Sequence, residues 1–177
     1  MSYVLGLDLG TSSLKGILMD KQGNVICEKS SEYGLDSPKL GYSEQRPEYW
    51  VVACEDVLTK LSVEVKDFGE ELEGISFSGQ MHSLVVLDKR NTPLYPAILW
   101  NDVRTTKQCE EITSTLGDKL LSITKNRVLE GFTLPKILWL QQNEPAIWEN
   151  VATIMMPKDY LNYWFTGNLY TEYSDAA

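Results

Sequence analysis

The sequence is poor in the residues that bind transition metals or cross-link small folds, with one histidine and three cysteines among 177 residues. Cys27, Cys54 and Cys109 are widely spaced and form no C-x-x-C pair. Because a zinc site needs clustered ligands and a disulfide framework needs paired cysteines, both are disfavoured. This cysteine usage is typical of a reducing compartment, and we expect a cytoplasmic protein.

Basic residues are also scarce, since 16 lysines and arginines stand against 25 acidic residues and give a formal net charge of -9. A broad nucleic-acid or anionic-membrane surface needs many basic contacts. No apolar run approaches the roughly 18 residues that a membrane-spanning helix requires, and no signal-peptide pattern opens the chain. We therefore expect no nucleic-acid or membrane partner, although a local anion site is compatible with this charge.

The remaining composition is that of an ordinary globular domain, since 43% of the residues are hydrophobic and 23% are charged. Strands at 3–9, 13–20 and 25–31 are predicted to form an antiparallel meander. Residues 33–47 show no period and predict a surface loop. An amphipathic helix begins at Pro47. The other predicted strands are 74–78, 84–87, 96–100 and 151–156, and the other predicted helices are 104–115, 118–124, 133–141 with Thr133 as its cap, 144–149 and 157–165.

The order of these elements, with three strands, a helix, a strand and then mostly helix, predicts the fold class. We expect an α/β domain whose mixed sheet carries the meander and, beside it, a parallel crossover strand. Trp50, Trp139, Trp148 and Trp164 fall at helical periods and are expected to be packing residues.

The first candidate site is the turn between the first two strands. Its residues are Gly10, Thr11, Ser12 and Ser13. Glycine leaves room for a phosphate, and the N–H and hydroxyl groups of the turn can donate to it. Asp8 is placed to hold Mg²⁺ through water, and Lys15 adds positive charge. A plain hairpin turn with a solvated lysine is also compatible with these residues, and the P-loop spacing G-x-x-x-x-G-K-[ST] is absent.

The second candidate site is Gln80-Met81-His82, directly after Gly79 at the end of a predicted strand. Gln80 and His82 offer the donors and acceptors that a polyol needs. The alternative is a histidine whose polar atoms are satisfied in the core or at a strand end. A metal role is disfavoured because the chain has one histidine and no thiolate cluster.

The third candidate site ends an apolar run with a flat aromatic ring and then polar side chains. Its residues are Trp100, Asn101, Asp102 and Arg104. An aromatic face against C–H bonds, with a few amide, carboxylate and guanidinium groups, is a common way to hold a sugar. A core tryptophan followed by a helix cap and a surface helix explains the same residues equally well.

Taken together, six segments resemble, in order and spacing, the amino-terminal domain of the FGGY family of carbohydrate kinases. The segments are 8–15, 42–48, 79–82, 98–104, 131–136 and 157–161. The resemblance implies an actin-like (ribonuclease H-like) domain, the first of two that enclose a cleft. It further implies that residues 10–13 touch the phosphates of ATP and that Asp8 supports Mg²⁺. By the same resemblance, Met81 and His82 contact the sugar, and Trp100, Asn101, Asp102 and Arg104 complete or brace its pocket.

Gln80-Met81-His82 resembles most the members that phosphorylate D-xylulose to D-xylulose 5-phosphate. Glycerol-specific members carry Gln-Arg-Glu at this place. Ser83 after the histidine is similar to gluconate-specific members, which usually have Ala-Met-His-Ser, so gluconate or another polyol is the alternative substrate. Gln80 favours D-xylulose.

The resemblance also implies that the catalytic aspartate and the adenosine-binding domain follow beyond residue 177. The end of the chain at 173–177 has no helix cap, so we expect a domain cut before its natural boundary. The parent protein is expected to be a homodimeric kinase, and this chain alone is expected to be inactive. A non-catalytic sugar-binding module and an inactive fragment are the alternatives.

Overall fold

The computed structural model describes residues 2–175, which form eight strands and six helices. The strands are β1 (Tyr3–Leu9), β2 (Ser13–Asp20), β3 (Val25–Glu32), β4 (Glu44–Gln45), β5 (Leu72–Gly79), β6 (Val85–Leu87), β7 (Ala97–Ile98) and β8 (Thr153–Met155). The helices are α1 (Pro47–Glu64), α2 (Phe68–Glu71), α3 (Thr106–Thr124), α4 (Thr133–Asn143), α5 (Pro145–Trp148) and α6 (Pro157–Thr166). None of these helices is long and apolar enough to cross a membrane.

The central sheet has the strand order β3-β2-β1-β5. β2 pairs antiparallel with both β1 and β3, whereas β1 and β5 are parallel. Along β1, buried Leu5, Leu7 and Leu9 alternate with more exposed residues, which is the period of a strand with one covered face. The predicted meander and its parallel crossover neighbour are therefore confirmed.

Helix α1 covers that buried face and begins at Pro47, whose missing N–H has no partner to lose at a helix start. Its side chains Trp50, Val57 and Leu61 are fully buried. Gly16 on β2 faces them, and a Cβ atom there would lie 2.7 Å from Val57 Cγ1. The close approach of sheet and helix thus requires glycine at position 16.

Strand β6 joins two apolar clusters because its neighbouring side chains point in opposite directions. Val85 and Leu87 belong to the main core, whereas Leu84 and Val86 pack in a second cluster with Trp139 of α4. β6 also pairs antiparallel with β8. The segment between β5 and β6, residues 80–84, is consequently held at the junction of the two clusters.

The structure corrects three details of the predicted elements. Residues 104–124 do not form two helices, because α3 continues through Gly117, which weakens but does not interrupt a helix. The segment 33–47 is not wholly a surface loop, since β4 lies in it and pairs with β7. Thr133 does not cap α4; it is the first helical residue, and its hydroxyl donates to the carbonyl of His82 at 3.1 Å.

The tryptophans differ in burial. Trp50 and Trp139 are core residues, and Trp148 packs on the second cluster, so packing is confirmed for these three. Trp164 is 40% exposed and contacts Phe165 edge to face.

Candidate functional site

The turn between β1 and β2 is held by hydrogen bonds to all four of its backbone carbonyl groups. Gly10 N–H donates to Ser13 O at 3.0 Å, and Tyr33 N–H donates to Ser12 O at 3.1 Å. The Tyr33 hydroxyl donates to Gly10 O at 2.6 Å, and Gln45 Nε2 donates to Thr11 O, also at 2.6 Å. Because the protein's own donors occupy these oxygens, their partial negative charge is offset where an anion would approach.

Asp8 lies at the end of β1, exposed on the sheet face that α1 does not cover. Ser78 Oγ on the parallel neighbour β5 donates to Asp8 Oδ1 at 3.0 Å. Lys15 stands opposite Asp8 across the hairpin, but its Nζ pairs with Glu28 Oε1 at 2.5 Å. The positive charge of Lys15, which the sequence suggested for phosphate binding, is thus partly neutralised by Glu28 of β3.

Gln80 connects the hairpin to the second candidate segment. Its backbone N–H donates to Leu9 O at 2.9 Å, and its Nε2 donates to Gly10 O at 3.4 Å and to Gln45 Oε1 at 3.3 Å. Its Oε1 accepts from Ser83 Oγ at 2.9 Å. The side chain is buried and its polar atoms are bonded within the protein, so Gln80 links two segments, and the sugar contact expected of it stays a prediction.

Met81 and His82 lie at the surface beside this link. Met81 is 49% exposed. His82 is half-buried, has a left-handed backbone with φ 65°, and packs its ring edge-on against Phe132 at 4.7 Å. Burial lowers the pKa of His82, Asp175 acts in the opposite direction and Lys136 lowers it further. The imidazole is therefore neutral at pH 7, with one nitrogen able to donate and the other able to accept.

Trp100 brings the third segment to the same place. Its backbone N–H donates to Ser83 Oγ at 3.0 Å, and its indole Nε1 donates to Thr11 Oγ1 at 2.9 Å. The ring is 48% exposed, and the neighbouring Asn101 is exposed as well. All three candidate segments are consequently joined by hydrogen bonds: 10–13, 80–83 and 100–101.

Asp102 and Arg104 are placed differently, because both side chains are fully buried. Arg104 Nη2 lies 2.7 Å from Asp102 Oδ2 and 2.7 Å from Glu44 Oε1, and its guanidinium lies 3.8 Å above the ring of Tyr42. Asp102 Oδ2 also accepts from Ser43 N–H at 2.7 Å. Both side chains are buried, so of the two expected roles, completing or bracing the pocket, the geometry favours bracing.

Two buried acidic residues, Asp102 and Asp175, are candidates to replace the catalytic aspartate that the family resemblance places beyond residue 177. Asp102 forms the buried pair with Arg104, and Asp175 lies 2.8 Å from the Nζ of Lys158. Asp175 borders a cavity of about 290 Å³ that His82, Phe132 and Thr133 also line. Because both carboxylates are paired with cations, the structure offers no argument for either residue as a base.

Two residues that sequence reasoning missed hold the candidate segments in place. Gln45 is fully buried; besides Thr11 O it donates to Gly34 O at 3.0 Å, and it accepts from Trp50 Nε1 at 3.1 Å. Lys136 is also fully buried and donates to His82 O at 3.0 Å. Nothing in the sequence indicated that Gln45, in a predicted loop, or Lys136, in a predicted helix, would be buried.

The magnesium expectation can be tested against the donor set. Among residues 2–175 there is no cluster of three or more histidine, cysteine, aspartate or glutamate side chains suited to a metal ion. Mg²⁺ in kinases keeps several waters and is bound by one or two carboxylates together with substrate phosphates. A single exposed Asp8 next to the hairpin tip is compatible with that mode and not with a site built from protein ligands alone.

Residues 3–177 match the model of the FGGY family of carbohydrate kinases, N-terminal domain. The chain belongs to this family. Among FGGY relatives, the xylulose kinase of Lactococcus lactis subsp. lactis is 73% identical over 177 residues, which is 100% of this chain and 35% of the relative. The chain thus spans about a third of that relative's length.

Solved structures of FGGY kinases share the fold. A xylulose kinase from Rhodospirillum rubrum superposes with a TM-score of 0.90 at 30% identity, over 94% of this chain and 35% of that one. A gluconate kinase from Lactobacillus acidophilus gives 0.88 at 25% identity, over 95% and 34%. The expected actin-like domain, with a mixed sheet flanked by helices, is confirmed.

Proposed function

We propose that the chain is the amino-terminal, sugar-binding part of an ATP-dependent kinase that transfers a phosphoryl group to D-xylulose and yields D-xylulose 5-phosphate. One observation carries this proposal: Trp100 donates its indole N–H to Thr11 of the hairpin tip at 2.9 Å. An aromatic platform suited to a sugar is thereby fixed against a turn suited to phosphate. Phosphoryl transfer depends above all on such positioning of the two reactants.

The sugar would lie against the exposed face of Trp100, near Met81, His82 and Asn101. The indole face suits C–H bonds, and the neutral imidazole can donate to one hydroxyl and accept from another. In this arrangement Gln80 and Ser83 would not contact the sugar directly, because both are buried and hydrogen-bonded within the protein. The preference for D-xylulose over gluconate therefore rests on the relatives at higher identity, which are xylulose kinases.

The phosphates of ATP would lie at residues 10–13, where the tip carbonyls are already occupied and Thr11 to Ser13 supply hydroxyl groups. Asp8 would hold Mg²⁺ through its waters. When bound, the ion neutralises charge that develops on the transferred group. Lys15 would contribute there only after leaving Glu28.

We assign the catalytic base and the adenosine-binding domain to sequence outside these 177 residues. This is supported by the length of the relatives and by the pairing of Asp102 and Asp175 with cations. The isolated chain is then expected to bind D-xylulose weakly and to show no turnover. A homodimeric parent and a cytoplasmic location stay predictions.

The test joins this chain to the remaining two thirds of the Lactococcus lactis xylulose kinase, replacing the segment that is 73% identical. We expect the chimera to phosphorylate D-xylulose with ATP and Mg²⁺, in preference to gluconate and glycerol. The isolated chain should form no sugar phosphate. Asp8→Asn in the chimera is the control and should lower kcat by about 100-fold or more.

Preferential phosphorylation of gluconate would overturn D-xylulose as the substrate, while the assignment to a sugar kinase would stand. Sugar phosphate formed by the pure 177-residue chain would overturn the assignment of the base to sequence outside it. A chimera that folds, binds ATP and phosphorylates none of the three polyols would overturn the proposed function.

A further inference from the structure

Lys136, in the first turn of α4, is a lysine with its side chain completely buried. Its ammonium group donates to three backbone carbonyl oxygens: those of His82 at 3.0 Å, Phe132 at 3.2 Å and Gly131. Within residues 2–175 no carboxylate lies within 4.0 Å of its nitrogen. The three N–H groups of the ammonium are thus matched by three neutral acceptors from two separate segments.

Burial of an ammonium group is costly unless its donors are satisfied, and it remains costly without a paired anion. Burial accordingly lowers the pKa of Lys136 to about 8, and the more distant charge of Asp102 opposes the shift. A packed methionine or leucine would avoid this cost but leave the three carbonyls unpaired. The lysine therefore has a local task that an apolar residue cannot perform.

The backbone of His82 shows what that task is. A positive φ of 65° is uncommon outside glycine and is stable only where neighbouring groups hold it. The His82 carbonyl accepts from Lys136 Nζ and also from Thr133 Oγ1, at 3.1 Å. Both donors belong to the first turn of α4, so one helix end fixes the direction of this peptide group.

Lys136, in the first turn of α4, is also connected to Trp100 through the backbone of Gly131. Lys136 also holds the carbonyl of Gly131, and Gly131 lies so close to Trp100 that a Cβ atom would be 3.1 Å from the Trp100 carbonyl oxygen. The ring of Phe132, which follows, contacts the imidazole of His82. The relative placement of His82 and Trp100 thus depends on a cluster of carbonyls gathered by one ammonium group.

We propose that Lys136 is a positioning residue for sugar recognition, which holds His82 in its left-handed conformation and so presents the imidazole beside Trp100. The proposal rests on the proposed function in one respect, namely that His82 contacts the sugar. Lys136 itself touches no substrate in this arrangement. Its effect reaches the ligand through the backbone of residues 82 and 131.

The experiment uses the fact that His82 is the one histidine of the chain, so its imidazole gives a single set of NMR signals. These signals are recorded against pH in the wild-type chain, in Lys136→Met and in Thr133→Val, and D-xylulose is titrated into each. Lys60→Met is the matched control, because Lys60 also donates to a backbone carbonyl, that of Ser30 at 2.9 Å, on an exposed surface.

For Lys136→Met we expect shifted His82 signals, a higher imidazole pKa because a nearby cation is removed, and D-xylulose affinity lowered about tenfold. The groups that face Lys136 and titrate or carry charge are Asp102, Arg104, Cys109 and His82. Thr133→Val changes no charge and should lower the affinity by about two- to fivefold, in the same direction. Lys60→Met should leave both readouts unchanged.

A folded Lys136→Met chain with unchanged His82 signals and unchanged sugar affinity would overturn the proposal. If Lys136→Met does not fold, Lys136→Gln decides, because its shorter, neutral side chain cannot donate to all three carbonyls; an unchanged His82 signal and unchanged sugar affinity in that variant reject the positioning role. Absence of D-xylulose binding by the wild-type chain counts against the proposed function instead. The His82 signals of the variants then still decide whether Lys136 and Thr133 fix this residue.

Discussion

Trp100 combines two roles that belong to different parts of one side chain. Its ring face is open, whereas its N–H is committed to Thr11 at 2.9 Å. Replacement by phenylalanine removes the hydrogen bond and keeps an aromatic face, and replacement by alanine removes both. The two variants therefore distinguish the contribution of the aromatic face from that of the hydrogen bond to Thr11.

We expect Trp100→Phe to weaken D-xylulose binding by about two- to fivefold and Trp100→Ala by about tenfold or more. Isothermal titration calorimetry on the isolated chain measures both. Trp164→Phe is the control, since Trp164 is similarly exposed at 40% and its ring contacts Phe165 on α6. Equal affinities for Trp100→Ala and the wild type would show that the ring is no platform.

At the scale of elements, the contact between β2 and α1 depends on a missing side chain. Gly16 leaves space for Val57, and a Cβ atom would meet Val57 Cγ1 at 2.7 Å. Val57 is fully buried and has little freedom to move. Overfilling such a contact costs energy even when the added group is apolar.

Gly16→Ala is expected to lower the free energy of unfolding by about 1–3 kcal/mol, measured by urea denaturation. Gly6→Ala provides the control on the uncovered face of the neighbouring strand, where the new Cβ would be 4.0 Å from its nearest neighbour, Ile17 O. The cost in Gly16→Ala should shrink when Val57→Ala is combined with it. Purely additive changes would contradict a direct clash.

Elements with a strong local signal were predictable, and those that depend on distant partners were not. The meander and α1 follow from alternation, turn glycines and Pro47. β4 has two residues, and its burial depends on pairing with β7, more than fifty positions away. The predicted break between helices 104–115 and 118–124 was wrong, and α3 continues through Gly117 because one glycine costs only about 1 kcal/mol in a helix of 19 residues.

The candidate site divides in the same way. Sequence reasoning found the three segments that meet, because each carries an unusual set of polar residues beside an apolar run. It did not separate exposed residues, such as Met81 and Trp100, from buried residues that hold these segments together, such as Gln80 and Asp102. That difference depends on which tertiary neighbour takes up each hydrogen bond, and a single sequence does not contain this information.

For the molecule as a whole, stability should depend on pH through its buried lysine. The pKa of Lys136 is lowered by burial from 10.5 to about 8. Between these values the unfolded chain binds more protons than the folded chain, so this residue makes the free energy of unfolding rise with pH. Burial raises the pKa of Cys54 to about 12, an effect of opposite sign that is common to the wild type and a Lys136 variant.

We therefore expect the stability difference between the wild type and Lys136→Met to grow in favour of the wild type by about 1 kcal/mol per pH unit from pH 8 to 10. Urea denaturation at intervals of half a pH unit measures it. The curve of Lys60→Met should run parallel to that of the wild type. If the curves of Lys136→Met and the wild type run parallel, the amino group of Lys136 has the same pKa in the folded and unfolded chains, and the prediction is wrong.

The hydrogen bond from Trp100 to Thr11 has a thermodynamic consequence, because it joins a surface suited to sugar to a turn suited to phosphate. If one ligand shifts this bond, it changes the affinity of the other, and linkage requires the two changes to be equal factors. D-Xylulose would then alter the dissociation constant of a nucleotide as much as the nucleotide alters that of the sugar. Through this bond, binding of the sugar and binding of the nucleotide would be coupled before any chemical step.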